Sequence, residues 1–244
     1  MRDYRDAVGD ARPVVYVHGY NVGFEKSCHR AARFTENLEL GERLLLFSWP
    51  SDGGTLDYTR DEADLFWSVA HLGELLGRME ELFGRGGFDI FAHSLGARGA
   101  TFALSLLTEP ADTPLVDRLV LAAPDIDADI FRQLLPRLRR QAAHVTVYLS
   151  GRDSALAVSR EVHGYPRLGR AGDHIVDLPG VEVVDVSDLP LRRVTGHLYH
   201  LYNEPVFSDI GELLNERLGA ADRTLPRPVD PTLSSYWKIP APAD

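Results

Sequence analysis

Short runs of apolar, often β-branched residues alternate along this chain with stretches whose apolar residues recur at helical spacing. Six such runs occupy residues 13–17, 44–49, 88–92, 119–123, 145–149 and 181–186. Between the second and third runs, residues 61–83 repeat apolar side chains every three or four positions, as an amphipathic helix does. Apolar strands that alternate with helices are typical of a parallel sheet buried on both faces. We therefore predict an α/β fold with a mainly parallel sheet of about six strands and helices on both faces.

The third run leads directly into a possible nucleophile elbow. Ala92, His93, Ser94, Leu95 and Gly96 follow one another at the end of this run and precede a helical stretch. A serine on a tight strand-to-helix turn projects its hydroxyl out of the chain, and small residues at the first and last positions let the helix approach the strand. The same pattern also fits a serine that simply caps a helix, so the motif alone leaves a structural role open.

The first run ends in a turn suited to an oxyanion loop. His18 and Gly19 precede Tyr20, and a glycine there lets the next amide point into a site at the carboxyl ends of the strands. We predict the backbone N–H groups of Tyr20 and Leu95 as the oxyanion donors. Residues of these loops and of the second run are expected to bind substrate, namely His18, Gly19, Asn21, His93 and Trp49.

Two further residues complete a catalytic set in chain order. Asp153 follows the fifth run and His197 follows the sixth, so that with Ser94 they keep the serine, acid, histidine order of α/β hydrolases. A neutral imidazole takes the serine proton, and a carboxylate holds the imidazole in the required tautomer. His200 is an alternative to His197, although Gly196 favours a loop position for the latter.

The acid also has alternatives. Asp125 and Asp127 follow the fourth run, from which some hydrolases of this kind take their acid. Either residue could instead cap the next helix, and Asp153 could be an ordinary turn residue.

Six motifs, in this order, resemble those of DUF900, an uncharacterised α/β-hydrolase family. They are V-H-G-Y-N at 17–21, F-S-W-P-S at 47–51, A-H-S-L-G at 92–96, A-P-D-I-D at 123–127, Y-x-S-x-x-D-x-A-L at 148–156 and G-H at 196–197. The resemblance spans about residues 13–218 and implies the α/β-hydrolase fold with a serine-hydrolase site at Ser94, Asp153 and His197. It implies no substrate. Ala92 stands where many hydrolases have glycine, a change small enough to keep the turn.

Composition and length fit one enzyme domain. The chain has 244 residues, 44% of them hydrophobic, and we expect an α/β-hydrolase domain over residues 1–222. Only one helix fits between the fourth and fifth runs, so no separate cap domain is expected. Residues 223–244 are rich in proline and are expected to form no regular element, either lying on the domain through Tyr236 and Trp237 or remaining disordered.

Charge and cysteine content limit the expected partners and location. A net charge of −10 argues against nucleic acid as a partner, because phosphate binding needs a basic surface. The sequence contains no apolar run of membrane-spanning length and no signal-peptide pattern at its start, and it has the single cysteine Cys28. We therefore expect a cytoplasmic protein without stable membrane insertion; the oligomeric state is not predicted.

The function expected from these residues is hydrolysis of a carboxylic ester, or a related acyl bond of a small molecule, through an acyl-enzyme and without a cofactor or metal. An acyltransferase or thioesterase would use the same triad. Two other classes remain open: a non-catalytic binding domain with this fold, and a metal enzyme. The possible metal ligands are His163, Asp173, His174, His197 and His200.

Overall fold

Eight strands and eight α-helices occupy the described part of the chain. The computed structural model describes residues 1–51, 58–107, 112–172, 178–190, 195–229 and 235–241. The strands are β1 (Val14–Val17), β2 (Leu44–Phe47), β3 (Asp89–His93), β4 (Val116–Ala122), β5 (Ala142–Leu149), β6 (Glu182–Asp185), β7 (Arg227–Pro228) and β8 (Tyr236–Lys238). The helices are α1 (Arg2–Val8), α2 (Phe24–Asn37), α3 (Tyr58–Phe83), α4 (Leu95–Leu106), α5 (Ala128–Gln141), α6 (Ser154–His163), α7 (Tyr199–Tyr202) and α8 (Glu204–Asn215).

The strands form one sheet in the order β2-β1-β3-β4-β5-β6-β8-β7. Every neighbouring pair is parallel except β7 with β8, which is antiparallel. The mainly parallel sheet is confirmed, and all six predicted strands are present. Since the carboxyl ends of parallel strands share one edge, the loops after β1, β3, β5 and β6 converge there.

The predicted number of strands was too low, because the proline-rich segment supplies two more. Tyr236–Lys238 pairs in parallel with β6, and Arg227–Pro228 pairs with β8, so the expectation that residues 223–244 form no regular element is wrong. Proline is tolerated at a sheet edge, where its missing N–H breaks no ladder. Tyr236 and Trp237 pair with β6 and hold this segment on the domain, which was the first of the two expected alternatives.

The sheet is covered on both faces, as predicted. Val15 and Val17 pack into one cluster with α3, α4 and α5, whereas Val14 and Tyr16 pack into a second cluster with α2 and α8. This division follows from the two-residue period of a strand, which sends successive side chains to opposite faces. Between β4 and β5 the chain contains α5 alone, and β5 begins at the next residue, so no cap domain is inserted there. None of the described helices is both long and apolar enough to cross a membrane.

Candidate active site

Ser94 occupies a strained turn between β3 and α4. Its backbone has φ 55° and ψ −123°, a region that residues other than glycine rarely adopt. Although Ser94 stands at the cap position of α4, its side chain makes no capping hydrogen bond within the described residues. Among the described residues, Ser94 therefore does not have the ordinary helix-capping role that the motif left open. The hydroxyl remains available for another use.

Two glycines allow the elbow to pack against the first loop. A Cβ on Gly96 would lie 2.2 Å from the carbonyl oxygen of His18, so α4 can approach the end of β1 only without a side chain there. A Cβ on Gly19 would lie 2.8 Å from Cβ of Ser94. The backbone of the first loop thus passes directly beside Ser94, just before the amide of Tyr20. Leu95 is the first residue of α4, where an N–H has no acceptor within its own helix.

Asp153 and His197 form a close pair beside the elbow. Nδ1 of His197 lies 2.6 Å from Oδ2 of Asp153, and Oδ1 of the same carboxylate accepts the Leu156 amide at 3.0 Å. Burial alone would lower the pKa of His197, but the charge and hydrogen bond of Asp153 raise it above its ordinary value. The amide of Ser154 donates to the carbonyl of Thr195 at 3.0 Å, so the turn that carries Asp153 also holds the loop that carries His197.

His93 links the elbow to the same loop. Its Nε2–H donates to the carbonyl oxygen of His197 at 3.0 Å, and the two imidazole rings are 4.6 Å apart. Within the described residues no hydrogen bond joins the Ser94 hydroxyl to the His197 imidazole. Such contacts are often long without substrate and tighten when it binds. The structure thus brings His197 to Asp153 and holds its loop beside the elbow.

His200 has a different environment from His197. Its side chain is wholly buried in α7, 4.3 Å from the ring of His93. Nε2 lies 3.4 Å from the hydroxyl of Tyr16, and burial holds the pKa of His200 well below its ordinary value. The ring is enclosed by the core beneath the site and has no contact with Asp153 among the described residues.

The two alternative acids are engaged elsewhere. Asp127 caps α5, accepting the amides of Asp129 at 2.8 Å and Ile130 at 3.0 Å. Asp125 accepts the hydroxyls of Tyr58 at 2.5 Å and Ser159 at 2.7 Å.

A network of charged groups surrounds Asp125. Nε of Arg167 lies 3.3 Å from its carboxylate, and Arg98 donates to its backbone carbonyl at 2.7 Å. His163 joins the same network through Glu62, to which its Nε2 is 2.9 Å distant. The structure thus gives His163 a hydrogen-bonding partner in this network. Asp173 and His174 lie outside the described residues, and within those residues no group of three or more His, Cys, Asp or Glu is arranged to hold a metal ion.

Three residues expected to bind substrate are buried. His18 and Trp49 stack with ring centroids 5.1 Å apart, and the indole N–H of Trp49 donates to the carbonyl of His18 at 2.8 Å. Burial lowers the pKa of His18 to about 4, and His93 is likewise buried. Ser94 is buried to the same degree, so substrate binding by these three side chains stays a prediction. Their contacts support the loops around Ser94.

Asp61 was not singled out from the sequence. Its Oδ2 accepts the amide of Asn21 at 3.2 Å and the hydroxyl of Ser51 at 2.5 Å, while Ser51 accepts the amide of Val22 at 3.0 Å. Asp61 therefore fixes the loop that follows Gly19. Its sequence position, in the first turns of an amphipathic helix, gave no signal, whereas Ser51 ends the F-S-W-P-S motif.

The chain resembles known proteins in sequence. It matches the family described as alpha/beta hydrolase of unknown function (DUF900) over residues 7–217. The transmembrane and coiled-coil domain-containing protein STS1 of Oryza sativa subsp. japonica is 32% identical over 166 residues, covering 65% of this chain and 24% of that protein. The chain thus spans about a quarter of that relative's length.

Solved structures show weaker likeness. An esterase of Pyrococcus furiosus is 17% identical with a TM-score of 0.49, and covers 86% of this chain and 83% of its own. A hyperthermophilic esterase of the archaeon Pyrobaculum calidifontis is 14% identical with a TM-score of 0.44, covering 84% of this chain and 77% of its own. Both TM-scores lie below 0.5, so the assignment rests on the sequence match, which spans most of the chain. This chain belongs to the DUF900 family of α/β hydrolases.

Proposed function

We propose that this hydrolase is a serine esterase that cleaves a carboxylic ester of a small molecule through an acyl-enzyme on Ser94. The observation that carries the proposal is the hydrogen bond between buried Asp153 and His197, on a loop that His93 ties to the elbow. The uncapped, strained position of Ser94 supports it. The family match extends across all of these residues.

The proposed steps use only groups of the chain, the ester and water. Oγ of Ser94 attacks the ester carbonyl while its proton passes to Nε2 of His197, and Asp153 retains the hydrogen bond to Nδ1. The backbone N–H groups of Tyr20 and Leu95 stabilise the oxyanion of the tetrahedral intermediate. The ester C–O bond then breaks, and the departing alcohol takes the proton from Nε2. Water repeats the sequence and releases the acid.

A panel of p-nitrophenyl esters of increasing acyl length tests this function. We expect turnover by the wild-type protein and background rates in Ser94→Ala. Ser105→Ala is the matched control, because Ser105 lies on the same helix and its buried Oγ has no hydrogen-bond partner within the described residues. Substantial turnover in a folded Ser94→Ala variant would rule out Ser94 as the nucleophile.

A further inference from the structure

A cavity between α2 and α7, here called the α2–α7 cavity, borders the loop that carries His197. Its volume is about 580 Å³, and its wall includes Leu198, the residue directly after His197. Three cationic side chains stand on its lining, in a protein of net charge −10. They are Lys26, Arg30 and Arg33, and His29 and the carboxylate of Glu36 line the cavity with them.

The basic groups differ in whether they have partners. Nζ of Lys26 donates to the carbonyl of Asn21 at 2.8 Å, and the guanidinium of Arg33 lies 4.9 Å from the ring centroid of Tyr202. His29 faces Glu25 at 3.8 Å. Arg30, by contrast, makes no hydrogen bond and no ion pair with any residue that the structure describes.

Arg30 is half-buried and lies on the side of α2 that packs toward the core. Burial lowers the pKa of Arg30, and its positive charge contributes to lowering the pKa of His18, His93 and His200. The groups that act on the Arg30 charge are the phenols of Tyr16 and Tyr202, and no carboxylate of the described residues pairs with it. A partly buried cation without a counter-charge is costly, and an anion entering the cavity would offset that cost.

We propose that Arg30 and Lys26 bind an oxyanion group, a carboxylate or a phosphate, on the leaving-group side of the ester. The planar guanidinium of Arg30 presents paired donors that match either group, and Lys26 lies one helical turn away on the same helix. The leaving-group side is assigned because the cavity borders the loop that carries His197, which in the proposed mechanism returns its proton to the departing alcohol. This assignment of the substrate side rests on the proposed function.

Equilibrium binding tests the subsite without catalysis. Benzoate, phenyl phosphate and the neutral benzamide are titrated calorimetrically, at low salt, into the wild-type protein, Arg30→Met and Arg140→Met. Arg140→Met is the control because it removes the same charge far from the cavity. Arg140 is exposed in the last turn of α5, and α5 packs on the face of the sheet opposite to α2. We expect at least one anion to bind the wild type and Arg140→Met at least tenfold more tightly than benzamide. The tighter anion distinguishes a carboxylate subsite from a phosphate subsite.

Arg30→Met should lose this preference while its Tm equals or exceeds that of the wild type, because the exchange removes a cation without a counter-charge. If Arg30 instead had a structural role, the Arg30→Met exchange would lower the Tm. If Arg30→Met does not fold, or if either anion binds it as tightly as the wild type, the proposal is overturned. Equal affinity of the wild type for benzamide and both anions also overturns it. Arg30→Lys keeps the positive charge but lacks the paired donors of the guanidinium, so it should retain part of the preference for the anion over benzamide.

Two matched esters test the position of the subsite. 3-Acetoxybenzoate and 3-acetoxybenzamide differ only in the charge of the leaving group, and the ratio of their kcat/KM values at one pH cancels any change in the pKa of His197. Arg30→Met should lower this ratio at least tenfold, and Arg140→Met should not change it. An unchanged ratio in Arg30→Met overturns the leaving-group assignment while leaving the esterase proposal intact. If the wild type hydrolyses neither these nor the p-nitrophenyl esters, the esterase proposal fails, and the titration still decides whether Arg30 binds anions.

Discussion

The carboxylate of Asp153 serves two neighbours at once, His197 through Oδ2 at 2.6 Å and the amide of Leu156 through Oδ1 at 3.0 Å. The turn role and the catalytic role considered for this residue are therefore compatible. Because the start of α6 fixes one oxygen, the other is held in place for the imidazole. Local helix capping thus pre-organises the group proposed to orient the base.

Replacing Asp153 by asparagine should show whether Asp153 orients the His197 imidazole or only stabilises the fold. Asn can still cap α6, but it favours the wrong tautomer of His197, so kcat should fall by about 10⁴-fold. Asp127→Asn, which alters only the cap of α5, should leave kcat within a few-fold of the wild type. Turnover and Tm are measured for both variants and for Asp125→Asn, which should act mainly on Tm. A near-normal kcat in Asp153→Asn beside an inactive Asp125→Asn would move the acid to Asp125.

The pH profile of kcat/KM should rise with a midpoint above the ordinary histidine value of about 6.5. His197 must be neutral to accept a proton, and Asp153 raises the pKa of His197. Asp153→Asn removes the charge and leaves the burial, so the midpoint should move down. Because the pKa of His197 is higher in the folded than in the unfolded protein, protonation of His197 stabilises the fold at low pH, and this contribution is lost as pH rises through the folded-state pKa. The difference in Tm between the wild type and Asp153→Asn should therefore narrow toward alkaline pH. A flat profile with the chemical step rate-limiting would contradict a histidine base.

Two glycine-to-alanine exchanges should have opposite effects on stability. A Cβ at Gly96 would meet the backbone at the end of β1, so Gly96→Ala should destabilise the fold by about 1–3 kcal/mol and displace Ser94. Gly73 lies within α3, where an added Cβ would meet no atom within 4 Å, so Gly73→Ala should stabilise by about 0.5–1 kcal/mol. Urea unfolding measures both changes. Equal effects in the two variants would contradict the close approach of α4 to β1.

The sequence was sufficient for the elements whose signal is local. Six apolar runs became β1 to β6, and the helical period over residues 61–83 marked α3, which begins only three residues earlier. The strand-to-helix turn at Ser94 and the glycine at 96 could likewise be identified from local pattern, and chain order indicated the pair Asp153 and His197 that a hydrogen bond joins.

Other features depend on contacts between distant segments. β8 has three residues among prolines and becomes a strand only by pairing with β6. His93 contacts the carbonyl of a residue 104 positions later, and Asp125 draws partners from three helices and a loop. Arg30 was not singled out from the sequence. These contacts join segments that are distant in the chain, and they produce no periodic pattern in the sequence.

Arg223 should contribute strongly to stability, although the sequence placed it at the start of a separate tail. Its wholly buried guanidinium bonds Asp209 at 2.8 Å and Glu182 at 3.2 Å, and Tyr148 donates to Asp209 at 2.5 Å. Arg223→Leu leaves Asp209 buried without its counter-charge, which should cost about 3–5 kcal/mol. Arg227→Leu is the control, because Arg227 is exposed and its side chain, among the described residues, bonds only the nearby carbonyls of Thr224 and Pro226. A loss below about 1 kcal/mol in urea unfolding of Arg223→Leu would show that this network does not hold the segment to the domain.

Labelling by a fluorophosphonate tests the central proposal most directly, because this reagent reacts with a serine that a neighbouring base activates. Intact-mass measurement and peptide mapping should show one adduct, on Ser94, in the wild-type protein and in Ser105→Ala. Labelling should be absent in Ser94→Ala and much slower in Asp153→Asn. A folded wild-type protein that takes no label, or that takes it at a residue other than Ser94, would contradict the proposal that Ser94 is the activated nucleophile.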